Sequence, residues 1–160
     1  MFDTLVHLLQ SHGARFRVIE HPAEGRSDLV AEIRGTAPGQ GAKAMLCKSR
    51  DASEPQLFLA VLPGDRKLDF KRLAQAVGVR KATLATPDEA QAATGCVMGS
   101  VPPFSFNPQV RLVVDPALVE RFAEIAFNAG RLDRSIVLDS ADYVRVARPL
   151  LQSLSGDGSD

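Results

Sequence analysis

Tryptophan is absent from this sequence of 160 residues, tyrosine occurs once and cysteine twice. Cys47 and Cys96 have no Cys-x-x-Cys spacing and are too few for a disulfide framework, which indicates a reducing compartment. Nineteen basic residues balance nineteen acidic ones, so net charge indicates no class of partner. No apolar run approaches the ~20 residues of a membrane-spanning helix, and no secretory leader opens the chain. We therefore expect a cytoplasmic protein that does not bind membranes.

The common catalytic and metal-binding motifs are also missing. The histidines His7, His12 and His21 lack the spacing of metal ligands. The sequence contains neither a Gly-x-Ser-x-Gly nucleophile elbow nor a phosphate-binding glycine loop. We therefore expect no metal and no organic cofactor.

Length and composition indicate one globular domain, because 45% of the residues are hydrophobic and 24% are charged. Apolar periodicity and capping residues predict interleaved helices and strands without a regular strand–helix–strand rhythm, which favours an α+β fold with a mixed, largely antiparallel sheet. Asp69, Thr86 and Ser140 are the predicted N-caps of three helices. We expect the domain to span residues 1–152, and the Ser/Gly/Asp-rich residues 153–160 to form a disordered tail.

Lys43 stands among small apolar residues at the start of a predicted strand, Ala42 to Lys48. Burial there disfavours the charged ammonium unless an anion or an ester carbonyl faces it. A purely structural alternative is an edge-strand lysine that prevents aggregation. Lys43 is therefore a candidate functional residue.

The segment from Thr94 to Phe104 carries glycines at 95 and 99 and two consecutive prolines, Pro102 and Pro103. Glycine allows the backbone to approach a ligand closely and proline stiffens the loop. Its amides could donate to a carbonyl or an oxyanion. The alternative is a tight connection after a helix.

Residues 66–81 hold six basic side chains against the single acid Asp69. Such a patch is typical of contacts with nucleic-acid phosphates, although it could also be an ordinary solvated face. The six candidates for binding nucleic-acid phosphates are Arg66, Lys67, Lys71, Arg72, Arg80 and Lys81.

Three stretches together resemble the YbaK/ProX/EbsC family, free-standing relatives of the editing domain inserted in bacterial prolyl-tRNA synthetase. They are GAKAMLCK (41–48), TGCVMGSVPPFSF (94–106), which contains Gly-x-x-x-Pro at 99–103, and LVVDPAL with EIAFNAGRLDRSIVL (112–138). The order and spacing cover nearly the whole chain. The sequence EIRGTAPGQGAKAMLCK and the double proline are most similar to the YeaK-type branch, which acts on seryl- and threonyl-tRNA.

The resemblance implies a compact domain with a barrel-like sheet surrounded by helices, and hydrolysis of the ester in mischarged tRNA. It implies that Lys43 is the functional lysine and that Gly95, Gly99 and Pro103 form the pocket loop. Asp115, Asn128 and Gly130 fall on matching positions near the pocket. Ser100, Asn128 and Ser135 are candidate partners for a substrate hydroxyl, because a buried polar site rejects an analogue that lacks this group.

The expected partner is thus aminoacyl-tRNA rather than DNA, and an aminoacyl-tRNA synthetase is a candidate second partner. Seryl- or threonyl-tRNA is the first expectation, and alanyl- or prolyl-type mischarged tRNA is the alternative. A non-catalytic module that binds tRNA or a synthetase, and an esterase for small molecules, also remain open.

Overall fold

The structure, a computed structural model, describes residues 1–50 and 53–156. Within these ranges six helices alternate irregularly with eight strands and a 3-10 turn at Pro38–Gln40. The helices are α1 Phe2–Ser11, α2 Ser27–Arg34, α3 Phe70–Val77, α4 Pro87–Thr94, α5 Pro116–Arg121 and α6 Ser140–Ala147. The strands are β1 Phe16–Glu20, β2 Ala42–Ser49, β3 Leu57–Pro63, β4 Ala82–Leu84, β5 Val110–Val114, β6 Glu124–Arg131, β7 Arg134–Asp139 and β8 Leu150–Leu151.

The strands form two sheets, one of three strands in the order β1-β7-β6 and one of five in the order β4-β2-β3-β5-β8. Pairings within the first sheet and among β4, β2 and β3 are antiparallel, while β3-β5 and β5-β8 are parallel. A single parallel bridge between Gly41 and Ala126 joins the sheets. The predicted α+β fold with a mixed, largely antiparallel sheet is confirmed.

β3 lies at the centre of the larger sheet because it is apolar on both faces. Leu59 and Val61 face the main core, which also contains Phe127 and Ile136 from the smaller sheet. Phe58 and Ala60 face a second core that α3 closes with Leu73 and Val77. A strand covered on both faces reads as a continuous apolar run, as the sequence shows here.

Helix ends follow local capping chemistry at most predicted positions. Asp69 accepts hydrogen bonds from two backbone amides of α3, and Thr86 forms a reciprocal capping box with Glu89 at the start of α4. The prediction for α6 is wrong by one residue. Asp139 is its N-cap and accepts from the amide of Asp142, whereas the Ser140 hydroxyl donates to the carbonyl of Phe122.

The C-terminal residues extend the fold beyond the predicted domain end at 152. Leu154 is fully buried in the second core, and Ser155 is hydrogen-bonded to Asp115. Asp115 accepts hydrogen bonds from the backbone amides of Leu154 and Ser155, so these two residues of the predicted tail pack against the domain. Residues 157–160 lie outside the described residues. No helix in the described ranges is long and apolar enough to cross a membrane.

Candidate active site

A narrow polar cavity of about 60 Å³ opens between α2, the start of β2 and the loop after α4. The larger sheet contributes Lys43, the smaller sheet contributes Asn128, and α2 contributes Arg34. Gly25 and Gly99 form part of its wall. Side chains from three distant parts of the chain therefore meet around one small space, as in a site built for a small ligand.

Lys43 projects from β2 into this cavity and is half-buried. Its ammonium donates to the carbonyl oxygen of Arg66, which leaves two further N–H donors. The pKa of the Lys43 ammonium is lowered, mainly because the group is partly buried. The negative charge of Asp65 opposes this shift, and the positive charge of Lys67 adds to it. Asp65 is itself held by Arg121 through two contacts of 3.0 and 2.9 Å. The Lys43 ammonium is thus incompletely neutralised.

Asn128 forms hydrogen bonds to two loops at the cavity, the loop after β1 and the loop after α4. Its amide nitrogen donates to the carbonyl oxygens of Glu24 and Gly99, each at 2.8 Å. Gly99 has a φ of 87°, and a side chain there would come within 2.9 Å of the Gly25 Cα atom. Only glycine allows these two loops to touch, so the cavity wall requires it.

Arg34 is a candidate residue that the sequence analysis did not identify. Its Nε donates to Ser135 Oγ at 2.7 Å and its Nη2 donates to Asn128 Oδ1 at 3.0 Å. Among the described residues no carboxylate forms an ion pair with it, and burial lowers the pKa of its guanidinium to about 10. Arg34 stays charged at neutral pH. A partly buried cation without an acidic partner favours a substrate oxygen beside it.

Ser135 and Asn128 make their hydrogen bonds mainly within the protein. The Ser135 hydroxyl accepts from Arg34 and lies 3.1 Å from Asn128 Oδ1 and 2.7 Å from His21 Nε2. Both Asn128 Nδ2 protons are donated to backbone carbonyls, and Oδ1 accepts from Arg34. These two residues therefore position Arg34 and the loops.

Comparison with known proteins shows the family of this chain. Residues 21–146 match the model of the aminoacyl-tRNA editing domain family. The chain belongs to this family. It is 52% identical over 147 residues to the Multifunctional Ser/Thr-tRNA deacylase ProXp-y of Escherichia coli (strain K12), covering 92% of this chain and 88% of that relative.

More distant relatives of this editing domain show where else the fold occurs. A proline–tRNA ligase of Corynebacterium diphtheriae is 32% identical over 112 residues, which are 68% of this chain and 19% of the ligase. A crystal structure provisionally described as a trans-editing enzyme for prolyl-tRNA synthetase superposes with a TM-score of 0.81. At 22% identity, covering 97% of this chain and 96% of the other, that superposition supports the fold alone.

Three predicted pocket residues of this editing domain, Gly95, Ser100 and Pro103, are not among the residues that line the cavity. Gly95 ends α4 with a φ of 75° and has open space around it. The Ser100 hydroxyl donates to the carbonyl of Val97 at 2.8 Å. The carbonyl of Pro103 accepts from the buried hydroxyl of Tyr143 at 2.6 Å. Their contacts shape the loop that carries Gly99.

Asp115 and Gly130 also have contacts outside the cavity. Asp115 caps α5 through the amide of Ala117 and accepts three hydrogen bonds from Leu154 and Ser155. Gly130 has a φ of 78°, and a side chain there would overlap Met1. In this structure both residues hold the fold together.

The predicted basic patch is divided between the two ends of α3. Arg66 and Lys67 lie near Lys43. The carbonyl oxygen of Arg66 accepts a hydrogen bond from the Lys43 ammonium, and the positive charge of Lys67 lowers the pKa of Lys43. Arg72 pairs with Asp69 and Ser153, while Lys71 is exposed. Arg80 and Lys81 follow the far end of the helix, which is about 12 Å long. The patch extends from the cavity entrance along the outer surface.

Proposed function

We propose that this protein is a free-standing aminoacyl-tRNA deacylase that hydrolyses the ester of mischarged seryl- or threonyl-tRNA in the cytoplasm. The observation that carries the proposal is the Lys43 ammonium, which has unused donors in a small cavity walled by Gly99. The extended match to a relative named as a Ser/Thr-tRNA deacylase supports the substrate class.

The reaction requires no nucleophile from the protein. Water attacks the ester carbonyl carbon, and the carbonyl oxygen becomes an oxyanion. The intermediate then expels the ribose oxygen, which takes the proton lost by water. The neighbouring ribose hydroxyl orients the water. The products are the free amino acid and uncharged tRNA.

Lys43 stabilises the oxyanion because its ammonium is fixed and partly desolvated, which strengthens the interaction relative to water. The Gly99 amide is a second donor. In the described chain it has no acceptor, whereas the neighbouring Ser100 amide is bonded to Val97. Arg34 offers its remaining donors to another substrate oxygen. Fixed donors of this kind contribute about 10²- to 10³-fold each in rate.

Selectivity follows from the size and polarity of the cavity. A space of about 60 Å³ admits a small side chain. Because Ser135 and Asn128 make their hydrogen bonds mainly within the protein, Arg34 is the candidate donor to a serine or threonine hydroxyl. An alanyl ester would leave that donor unpaired, which is unfavourable in a buried site.

Release of amino acid from seryl-, threonyl-, alanyl- and prolyl-tRNA by the wild type and Lys43→Ala tests the proposal. We expect rapid release of serine and threonine by the wild type and a loss of at least about 100-fold in Lys43→Ala. Lys48→Ala is the matched control, because Lys48 lies on the same strand but pairs with Glu89 at 2.9 Å. Equal rates in wild type and Lys43→Ala would disprove the assignment. Tight tRNA binding without release from any of the four would indicate a non-catalytic module.

A further inference from the structure

A second cavity, of about 130 Å³, lies directly beside the polar cavity. Ala44, Gly99 and Val101 line both cavities, so a single wall separates them. The remaining lining of this apolar cavity is Met45, Leu46, Leu84, Ala85, Ala90 and Met98. No charged side chain of the described chain lines it.

Two large hydrophobic side chains at this cavity are exposed. Leu84 at the end of β4 is 43% exposed, and Met98 in the loop after α4 is 59% exposed. Neither is needed to fill a core, because the main core beneath them is closed by Leu46 and Ala85. Exposed apolar groups around a concave surface are typical of a binding site.

We propose that the apolar cavity binds the base of the 3′-terminal adenosine of the tRNA. This inference rests on the proposed function. With the ester at Lys43, the attached ribose lies at the mouth of the polar cavity and its base reaches only the immediate surroundings. Ala44, Gly99 and Val101 line both cavities, so a base that leaves the polar cavity on this side lies against the apolar cavity.

The chemistry of the lining suits a nucleobase better than the amino acid. The faces of a purine ring are apolar and polarisable, and they stack on apolar side chains without any requirement for charge. Methionine adapts to flat aromatic rings through its flexible thioether. A serine or threonine hydroxyl placed here would lose its hydrogen bonds to water without replacement.

A different cavity, of about 160 Å³ beside Phe104 and Phe106, is a weaker candidate for the base. Val101 is the only lining residue that it shares with the polar cavity. Gly99 and Ala44, which contact the space around Lys43, do not line it. An occupant of that cavity would be separated from the ester.

The test compares two serine esters that differ in the alcohol, 3′-O-seryl-adenosine and serine ethyl ester. The variants are Leu84→Ala and Met98→Ala, which remove apolar surface, and Ala90→Leu, which fills the cavity. Val97→Ala is the matched control, because Val97 is 48% exposed in the same turn but does not line the cavity. Melting temperatures establish that each variant is folded.

We expect the wild type to prefer the adenosine ester by at least about tenfold in kcat/KM, and each cavity variant to lose about fivefold to tenfold on that ester, at the lower end of base-stacking contributions. Hydrolysis of the ethyl ester stays unchanged in all variants, and Val97→Ala behaves as wild type.

Equal wild-type rates on the two esters, or unchanged rates in the three variants, would overturn the base site. A parallel loss on both esters would assign the cavity to the amino acid and also overturn it. A change of oligomeric state in the same variants would assign it to a second copy of the chain. Hydrolysis of seryl-tRNA by the wild type is measured alongside. If the wild type hydrolyses seryl-tRNA, the results above bear on the base site alone. If it does not, both the proposed function and the base site are overturned.

Discussion

Asn128→Ala is expected to detach both loops of the polar cavity at once. The substitution removes four hydrogen bonds, two to the carbonyls of Glu24 and Gly99 at 2.8 Å and two from Arg34 and Ser135 at 3.0 and 3.1 Å. Water can replace the amide at the carbonyls, since Gly99 and Glu24 lie in surface loops. The donors of Arg34 and Ser135 are less accessible, and their loss sets the energetic cost.

Leaving two such groups unpaired costs about 2–6 kcal/mol in free energy of unfolding. For a domain of this size, that corresponds to a decrease of about 4–24 °C in melting temperature. Because the cavity wall is held by the same bonds, kcat/KM for seryl-tRNA should fall at temperatures where the variant is fully folded. Calorimetry and single-turnover release of serine measure the two effects.

Two further variants separate positioning from general destabilisation. Asn128→Asp retains acceptors for Arg34 and Ser135 but places a carboxylate against two carbonyl oxygens, so it should lose activity as well. Asn107→Ala is the control, because the Asn107 amide likewise joins its loop to another element, through the carbonyl of Ala93 in α4, but is outside the polar cavity. Wild-type stability and wild-type activity of Asn128→Ala would refute the proposed role of the network.

Other predictions concern charge and the C-terminus. Seryl-tRNA hydrolysis, corrected for the spontaneous rate, should decline as pH rises and Lys43 loses its proton. Because burial lowers the pKa of Lys43, the midpoint of this decline should lie below the ordinary lysine pKa of about 10.4. A midpoint above that value would contradict the assignment. The double variant Lys71→Glu, Arg72→Glu should bind tRNA more weakly and with a smaller salt dependence in filter-binding assays. Its hydrolysis of seryl-adenosine should stay unchanged. Undiminished tRNA binding would exclude the basic patch as a tRNA-binding site. Asp115→Ala should lower the free energy of unfolding in urea by about 2–4 kcal/mol, because it removes a helix cap and the hydrogen bonds to the C-terminal segment. The kcat of the folded protein should stay unchanged. A large loss of kcat with intact stability would place Asp115 in the active site.

The helix starts were predicted from capping residues, a signal that lies within a few neighbouring positions of the sequence. Thr86, Pro87 and Glu89 specify the start of α4 within four residues, and the structure confirms it. The short strands β4 and β8 were not predicted, because two or three residues carry no periodicity and form only against existing strands. The length of β6 depends on its partner in the same way, because its C-terminal part pairs with β7 through an irregularity between Asn128 and Arg131.

The sequence by itself determined the α+β class, the central apolar strand, the family resemblance and the place of Lys43 near the start of β2. These properties depend on residue types and spacings within short segments, which local sterics and apolar burial decide. Only the tertiary structure decided that Arg34 meets Asn128, 94 positions away, and that Asp115, Gly130 and Pro103 serve the scaffold. The final roles of polar side chains depend on which partners complete their hydrogen bonds, and chain folding brings those partners from distant segments.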